Sequence, residues 1–304
     1  MFITKNHEHY IEKSSFYLQE ELARKCHLAV WEFDGKLSDI LLQLPFQPDF
    51  ILVNDLKPDY SPLIWGLKES PVPYGIIFHD LQYKIYRRKQ FIEKENIRTI
   101  FSVYRDPFKK WYPEYTDRMI WLPHHVNINI YKDYQLPKEI SWLMAGSLNP
   151  HLYPFRTLMH HFLKNEKAFV SYAHPGYRNV IDENGWLLGE RYAKEINRSK
   201  MLLTCDSVYR FPVLKYFEAA ACKTLVLGPS SKELEALGFI DGQTFISVSE
   251  HDFKEKSMYY LNDKEARESI AEKGYNMVRE RHSTEVRVHQ LLTYIEEIVR
   301  RSNG

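Results

Sequence analysis

The chain is short of several things that mark other classes of protein. It has only 3 cysteines, Cys26, Cys205 and Cys222, in 304 residues. They lie far apart, without the spacing of a metal site or a disulfide framework, and read as free thiols of a reducing compartment. No apolar run approaches the ~20 residues needed to cross a bilayer, so no transmembrane segment is expected. The opening Met1-Phe2-Ile3-Thr4-Lys5 lacks the charged start and long apolar stretch of a secretory leader. A cytoplasmic location is therefore expected, with attachment at the periphery of a membrane or surface assembly left open. Neither sign of charge dominates, since 41 Lys and Arg face 40 Asp and Glu. That removes the electrostatic case for a nucleic-acid partner. Also missing are a Walker loop, a Gly-x-Gly-x-x-Gly turn and a Gly-x-Ser-x-Gly elbow. No Asp-x-Asp pair closes an expected strand, and the adjacent His124 and His125 lack the spacing of paired ligands, so no metal site is expected.

What is present is an ordinary globular composition, 44% hydrophobic and 27% charged, in a chain long enough for two domains. The 21 Tyr, 17 Phe and 6 Trp suit either a sugar-binding cleft or well-filled cores. Strand-like and helix-like stretches alternate, the pattern of an α/β protein. In the first half, strands are expected over 27–31, 49–53, 74–78, 99–103 and 119–122, with helices over 11–26, 36–44 and 83–95. Residues 131–138, with Pro137 and no periodicity, read as a linker. The pattern then restarts with strands over 140–145, 168–172, 201–204, 224–227 and 244–248, and helices over 155–164, 190–197 and 232–237. From Asp252 the chain is nearly all helix, and Val288, Leu291, Leu292, Ile295, Ile298 and Val299 fall on one face. The division expected is 1–135 and 136–304, two Rossmann-like α/β lobes with a C-terminal helical tail.

The most informative segment is Phe211-Pro-Val-Leu-Lys-Tyr-Phe-Glu-Ala-Ala-Ala-Cys-Lys-Thr-Leu-Val-Leu-Gly-Pro229. It reads as a helix running straight into a buried strand. Pro212 suits a first turn, where its missing N–H is no loss. Lys215 and Glu218 lie three apart, on the less apolar side of that helix, an arrangement able to hold a diphosphate and ribose hydroxyls.

This segment resembles the donor-site segment of GT-B glycosyltransferases, in particular the group 1 (GT4-like) and spore-protein glycosyltransferase-like families. The match rests on Phe217, Glu218, Ala219, Ala221, Cys222 and Thr224, with Lys223 where those families usually have Gly. The resemblance implies a GT-B fold, with a cleft between the lobes, an acceptor-side first lobe and a nucleotide-sugar-binding second lobe. It also implies that the terminal helices return to the first lobe.

Candidate donor-binding residues follow from position and from that resemblance. Gly146 and Ser147 directly follow an expected strand, where a glycine lets a ligand approach the backbone. Arg156, in Tyr153-Pro-Phe-Arg156, can touch phosphate or brace the loop. In Ser171-Tyr-Ala-His-Pro-Gly-Tyr177, His174 either contacts the nucleobase, as in the families, or belongs to a plain turn made by Pro175 and Gly176. Tyr209 and Arg210 precede the key helix, whose start would attract phosphate through free N–H groups and its dipole. Group 1 enzymes often carry a Glu eight residues before the helix Glu; that position is Arg210 here, so the two-glutamate signature is incomplete. Arg210, Lys215 and Glu218 complete the donor set. In the first lobe, Ile76-Ile-Phe-His-Asp80 delivers His79 and Asp80, the candidate catalytic residues. The resemblance places a His near the reacting sugar, and His has a pKa suited to acid–base work.

The expected activity is therefore transfer of a hexose-type sugar from a nucleotide-diphosphate donor, UDP- or GDP-linked, to an acceptor hydroxyl. Neither a metal nor a tightly bound cofactor is expected, and the resemblance suggests retention at the anomeric carbon. The acceptor is open: a glycan, lipid, protein or small metabolite. The rivals are a nucleotide-sugar epimerase of the same fold and a non-catalytic sugar-binding or coat protein.

Overall fold

The computed structural model describes residues 1–174, 176–180 and 187–303. The described chain forms two compact units, residues 1–123 with 284–304, and residues 124–283.

The first unit carries β1 (Phe2–Ile3), α1 (Ser14–Lys25), β2 (Val30–Trp31), β3 (Gly35–Lys36), α2 (Leu37–Leu41), β4 (Ile51–Asn54), β5 (Ile64–Trp65), β6 (Tyr74–Phe78), α3 (Ile85–Lys94), β7 (Ile100–Ser102), α4 (Arg105–Trp111) and β8 (Met119–Trp121). Six strands make one sheet in the order β2-β1-β4-β6-β7-β8, every neighbouring pair parallel. β3 and β5 form a separate small parallel ladder. The central strands read as unbroken apolar runs because helices cover both faces of a parallel sheet. Ile51 to Val53, Ile76 to Phe78, Ile100 and Phe101 are accordingly buried.

The shortest strand sits near the middle. Phe2 pairs with Val30 on one side and Leu52 on the other, and both Phe2 and Ile3 are fully buried. Two residues give no alternation to detect, so β1 escapes a pattern search. α4 escapes it as well. Pro107 occupies its third position, in the first turn, where no intrahelical N–H is needed.

The second unit carries β9 (Ile140–Ala145), α5 (Pro154–Leu163), β10 (Phe169–Tyr172), α6 (Gly189–Asn197), β11 (Ser199–Leu203), α7 (Lys215–Ala221), β12 (Leu225–Gly228), α8 (Lys232–Leu237), β13 (Ile246–Ser247), α9 (Phe253–Asn262) and α10 (Lys264–His282). Its sheet, ordered β10-β9-β11-β12-β13, is again wholly parallel. All six residues of β9 are buried. α10 lies close against the α7–β12 layer at Gly274, where a Cβ would fall 2.4 Å from the Thr244 carbonyl oxygen and 3.8 Å from the Ala220 Cβ. The last helix, α11 (Thr284–Asn303), belongs to the first unit, where it packs on α1 and Lys25 pairs with Glu285 at 2.9 Å.

The units divide at Pro123 rather than in the 131–138 stretch. That stretch is held inside the second unit by a hydrogen bond from Leu136 N to Asn197 Oδ1 at 3.1 Å, and the chain just before it by one from Val126 N to His282 O at 2.9 Å.

Candidate active site

In an open parallel sheet, ligands bind beyond the carboxyl ends of the strands, where the strand order reverses. In the second unit that point lies between β9 and β11. Three chain segments meet there: the loop after β9, the loop after β11 and the start of α7.

Gly146 is the first residue after β9. Its φ of +135° is strained for any side chain, and a Cβ would lie 2.8 Å from Arg156 Nη1 and 3.5 Å from Lys215 Cε. Arg156 enters from α5, whose first residue is Pro154. Its guanidinium is buried, 4.1 Å above the Tyr153 ring. Nη1 donates to Ser147 O at 3.2 Å and Nη2 to Cys205 O at 3.1 Å. Arg156 thus ties the loop after β9 to the loop after β11. Of the two roles open from sequence, bracing is the one seen here, and the full positive charge stays beneath the Gly146 loop.

Lys215 opens α7 and is half-buried. It makes no hydrogen bond or ion pair among the described residues. Burial and then the Arg156 charge push its pKa down, opposed by the Glu218 carboxylate. Glu218 follows one turn later and is only 7% exposed. The Tyr192 hydroxyl, which sequence reasoning did not single out, is buried without a hydrogen-bond partner among the described residues. Burial first, then the nearby Glu218 charge, push its pKa well up.

His174 also faces this cationic pair. Burial first, then Lys215 and Arg156, hold its pKa down at about 4, so the ring is neutral. Its Nδ1 accepts from Gly176 N at 3.0 Å, and Tyr177 lies 4.7 Å away, ring to ring. The backbone of Pro175, read above as part of a turn, lies outside the described residues. Tyr209 is half-buried beside Phe211, with ring centroids 5.7 Å apart. Arg210 is exposed, at φ +61°. Its charge opposes the upward push that burial gives the Asp206 pKa.

One expectation is corrected. The helix does not begin at Pro212 but at Lys215, and it has only 7 residues. The amides of its second to fourth residues are already used. Tyr216 N donates to Val213 O at 3.2 Å, and Phe217 N and Glu218 N donate to Leu214 O at 2.9 and 3.1 Å. These three amides offer no free donors to a phosphate, and the Arg156 and Lys215 side chains bring full positive charge to the same place.

In the first unit, β6 delivers His79 and Asp80 to the carboxyl end of its sheet. The His79 ring stacks on Tyr60, 4.6 Å between centroids and 8° from parallel. Its Nε2 lies 2.8 Å from Asn54 Oδ1, and its backbone N donates to Asp55 Oδ2 at 2.9 Å. Burial pushes the His79 pKa down to about 4, although Asp55 and Asp80 pull the other way. Asp80 accepts from Lys57 Nζ at 2.9 Å, and Lys57 also pairs with Asp59 at 3.2 Å. Beneath them Asp55, at φ +70°, pairs with Arg88 in full burial. Burial raises the Asp55 pKa, but Arg88, His79 and two backbone amides bring it below the usual carboxylate range. Thr4, Asn54, Lys57 and Tyr60 were not legible as site residues, because they converge only when β1 and β4 pair. A separate cavity of about 330 Å³ is lined by Lys5, Val53, Ser61 and Phe91.

Residues 156–293 match the family described as glycosyl transferase-like. No curated protein matches the sequence. The fold is similar to solved glycosyltransferase structures. A glycosyltransferase from Rickettsia africae is 12% identical, with 95% of this chain and 83% of that one covered at a TM-score of 0.58. The Anabaena protein HepE, solved in complex with UDP, is 10% identical, with 91% and 89% covered at a TM-score of 0.63. Sucrose-phosphate synthase from Thermosynechococcus elongatus is 11% identical, with 86% and 76% covered at a TM-score of 0.59. The fold is GT-B, two Rossmann-like units with helices at the carboxyl end. The chain thus has the GT-B fold, and its residues 156–293 are similar to the glycosyl transferase-like family. Among the described residues, no helix is long and apolar enough to cross a membrane.

Proposed function

We propose that this protein transfers a sugar from a nucleotide-diphosphate donor, with UDP as the favoured nucleotide, to an acceptor hydroxyl. The observation that carries the reading is Lys215: a half-buried cation beside the buried Arg156, making no hydrogen bond or ion pair among the described residues, with Glu218 one turn on offsetting its charge only in part. Two like charges held together away from water are unfavourable until an anion arrives. A diphosphate supplies that anion. UDP is favoured because HepE was solved with UDP, with UDP and glucose, and with UDP-glucose.

The chemistry follows from charge development. As the bond between the sugar and the diphosphate breaks, negative charge grows on the leaving phosphate. Fixed cations already aimed at that position stabilise the transition state more than the ground state. Lys215 takes this role directly, and Arg156 acts through its charge from under the Gly146–Ser147 loop. Because side chains supply this compensation, the step is written as metal-independent. Glu218 recognises ribose hydroxyls, with Tyr192 beside it. The neutral His174 contacts the base, and Tyr209 and Arg210 border the diphosphate. In the first unit, His79 and Asp80 handle the acceptor hydroxyl, and retention of configuration is the outcome the resemblance favours.

Calorimetric titration with UDP, GDP and UDP-glucose tests this reading. UDP and UDP-glucose should bind, and UDP-glucose should be slowly consumed to UDP. Absence of binding by any nucleotide diphosphate would overturn it.

A further inference from the structure

The imidazole of His79 is tied into a chain of hydrogen bonds whose direction can be worked out. Thr4 Oγ1 lies 3.2 Å from Tyr60 O and 3.1 Å from Lys5 O, and both are acceptors. The single Thr4 hydroxyl proton is therefore spent on a carbonyl. The same oxygen lies 2.9 Å from Asn54, so it must accept there, and the Asn54 atom facing it must be the NH₂ group. That NH₂ group also lies 3.0 Å from Ser15 Oγ. The other amide atom, Oδ1, then faces His79 Nε2 at 2.8 Å and can only accept. Nε2 must carry a proton. Asn54 is fully buried, so water does not compete for these contacts.

The opposite ring nitrogen is different. Nδ1 makes no hydrogen bond among the described residues, yet it is not among the polar atoms sealed from solvent. The stacked Tyr60 ring fixes the imidazole plane. The charged and titratable groups facing His79 are Asp55, Asp80, His7 and Arg88.

We propose that Asn54 is a positioning residue: its amide holds His79 as the Nε2-protonated imidazole and leaves Nδ1 as a hydrogen-bond acceptor for a substrate hydroxyl. The inference rests on the reading of His79 as an acceptor-side group. The choice of amide over carboxylate matters. An aspartate at this position would stabilise the imidazolium. The neutral amide orients the ring without charging it, and burial keeps it neutral down to about pH 4.

The test is a ¹⁵N NMR measurement of the histidine ring nitrogens in the full-length protein, with His79→Gln identifying the signal. The wild type should show the Nε2-protonated tautomer alone at His79. Asn54→Ala should give a mixture of tautomers, and Asn54→Asp should raise the titration midpoint by about one to three pH units. With UDP-glucose as donor probe, Asn54→Ala should lower kcat about tenfold or more with KM unchanged. Wild-type signal from an Nδ1-protonated ring, or an unaltered kcat in Asn54→Ala, would overturn the proposal. If UDP-glucose is neither bound nor consumed, the functional reading itself has failed, and the tautomer measurement still decides whether Asn54 sets the ring.

Discussion

Lys215 Cε lies 3.5 Å from where a Cβ on Gly146 would sit, and Arg156 Nη1 lies 2.8 Å from the same point. The glycine is the space that lets the two cations approach one strand end together. Replacing Gly146 by Ala therefore does two harmful things. It forces a side chain into a φ of +135°, and it drives a methyl into the guanidinium that braces both loops. A cost of about 1–3 kcal/mol is expected from the backbone strain alone. Urea denaturation measures it. A midpoint equal to that of the wild type would show that the loop has another low-energy course.

Lys215→Met separates stability from function. Methionine matches the length of the stem and removes a charge that burial and Arg156 both oppose. The denaturation midpoint should hold steady or rise, while UDP affinity falls about ten- to a hundredfold, the loss of one hydrogen bond to a charged group. Calorimetric titration gives the second number. Lost affinity together with lost stability would instead make Lys215 a structural residue.

Sequence and structure agree where the signal is local. Tyr74 to Phe78 is an apolar run with prolines before it and polar His79 and Asp80 after it. It forms β6 over those same residues, with the two polar side chains at its carboxyl end. The 232–237 helix is equally plain, because Ser231 caps it by accepting from Leu234 N. Legibility fails where the signal is spread through space. Nothing near Asn54 announces a role, since its partners Thr4, Ser15 and His79 come from distant segments. The start of α7 was misplaced for a different reason. Pro212 is compatible with a first turn, but Arg210 at φ +61° turns the chain, and the first helical hydrogen bonds form only from Val213 and Leu214. Arg156 had two roles open from sequence because Ser147 and Cys205, whose carbonyls it holds, come together only when β9 and β11 pair.

The buried Asp55–Arg88 pair underlies the His79 loop, and it should behave as a unit. Arg88→Met leaves Asp55 charged in full burial, with the backbone amides of His79 and Leu56 still bound to it. A loss of about 3–5 kcal/mol is expected for breaking such a pair from one side. The double change Asp55→Asn with Arg88→Met should cost less than the sum of the two single changes, since neither stranded charge remains. A denaturant-melt double-mutant cycle measures the coupling, and additive effects would show the pair to be independent.

Stability should also follow pH through two histidines. His79 and His174 both have pKa values held down at about 4, against an ordinary 6.5, chiefly by burial. Between those values the unfolded chain binds protons at these positions and the folded chain does not. Stability therefore rises with pH across that window, and it is lost as pH falls from about 6.5 towards 4. Above 6.5 neither state protonates these rings, so their contribution levels off. Urea midpoints collected through the window should show the slope, and His79→Gln and His174→Gln should each flatten it. A slope unchanged in the double variant would show that groups other than these two histidines set the acid sensitivity in this window.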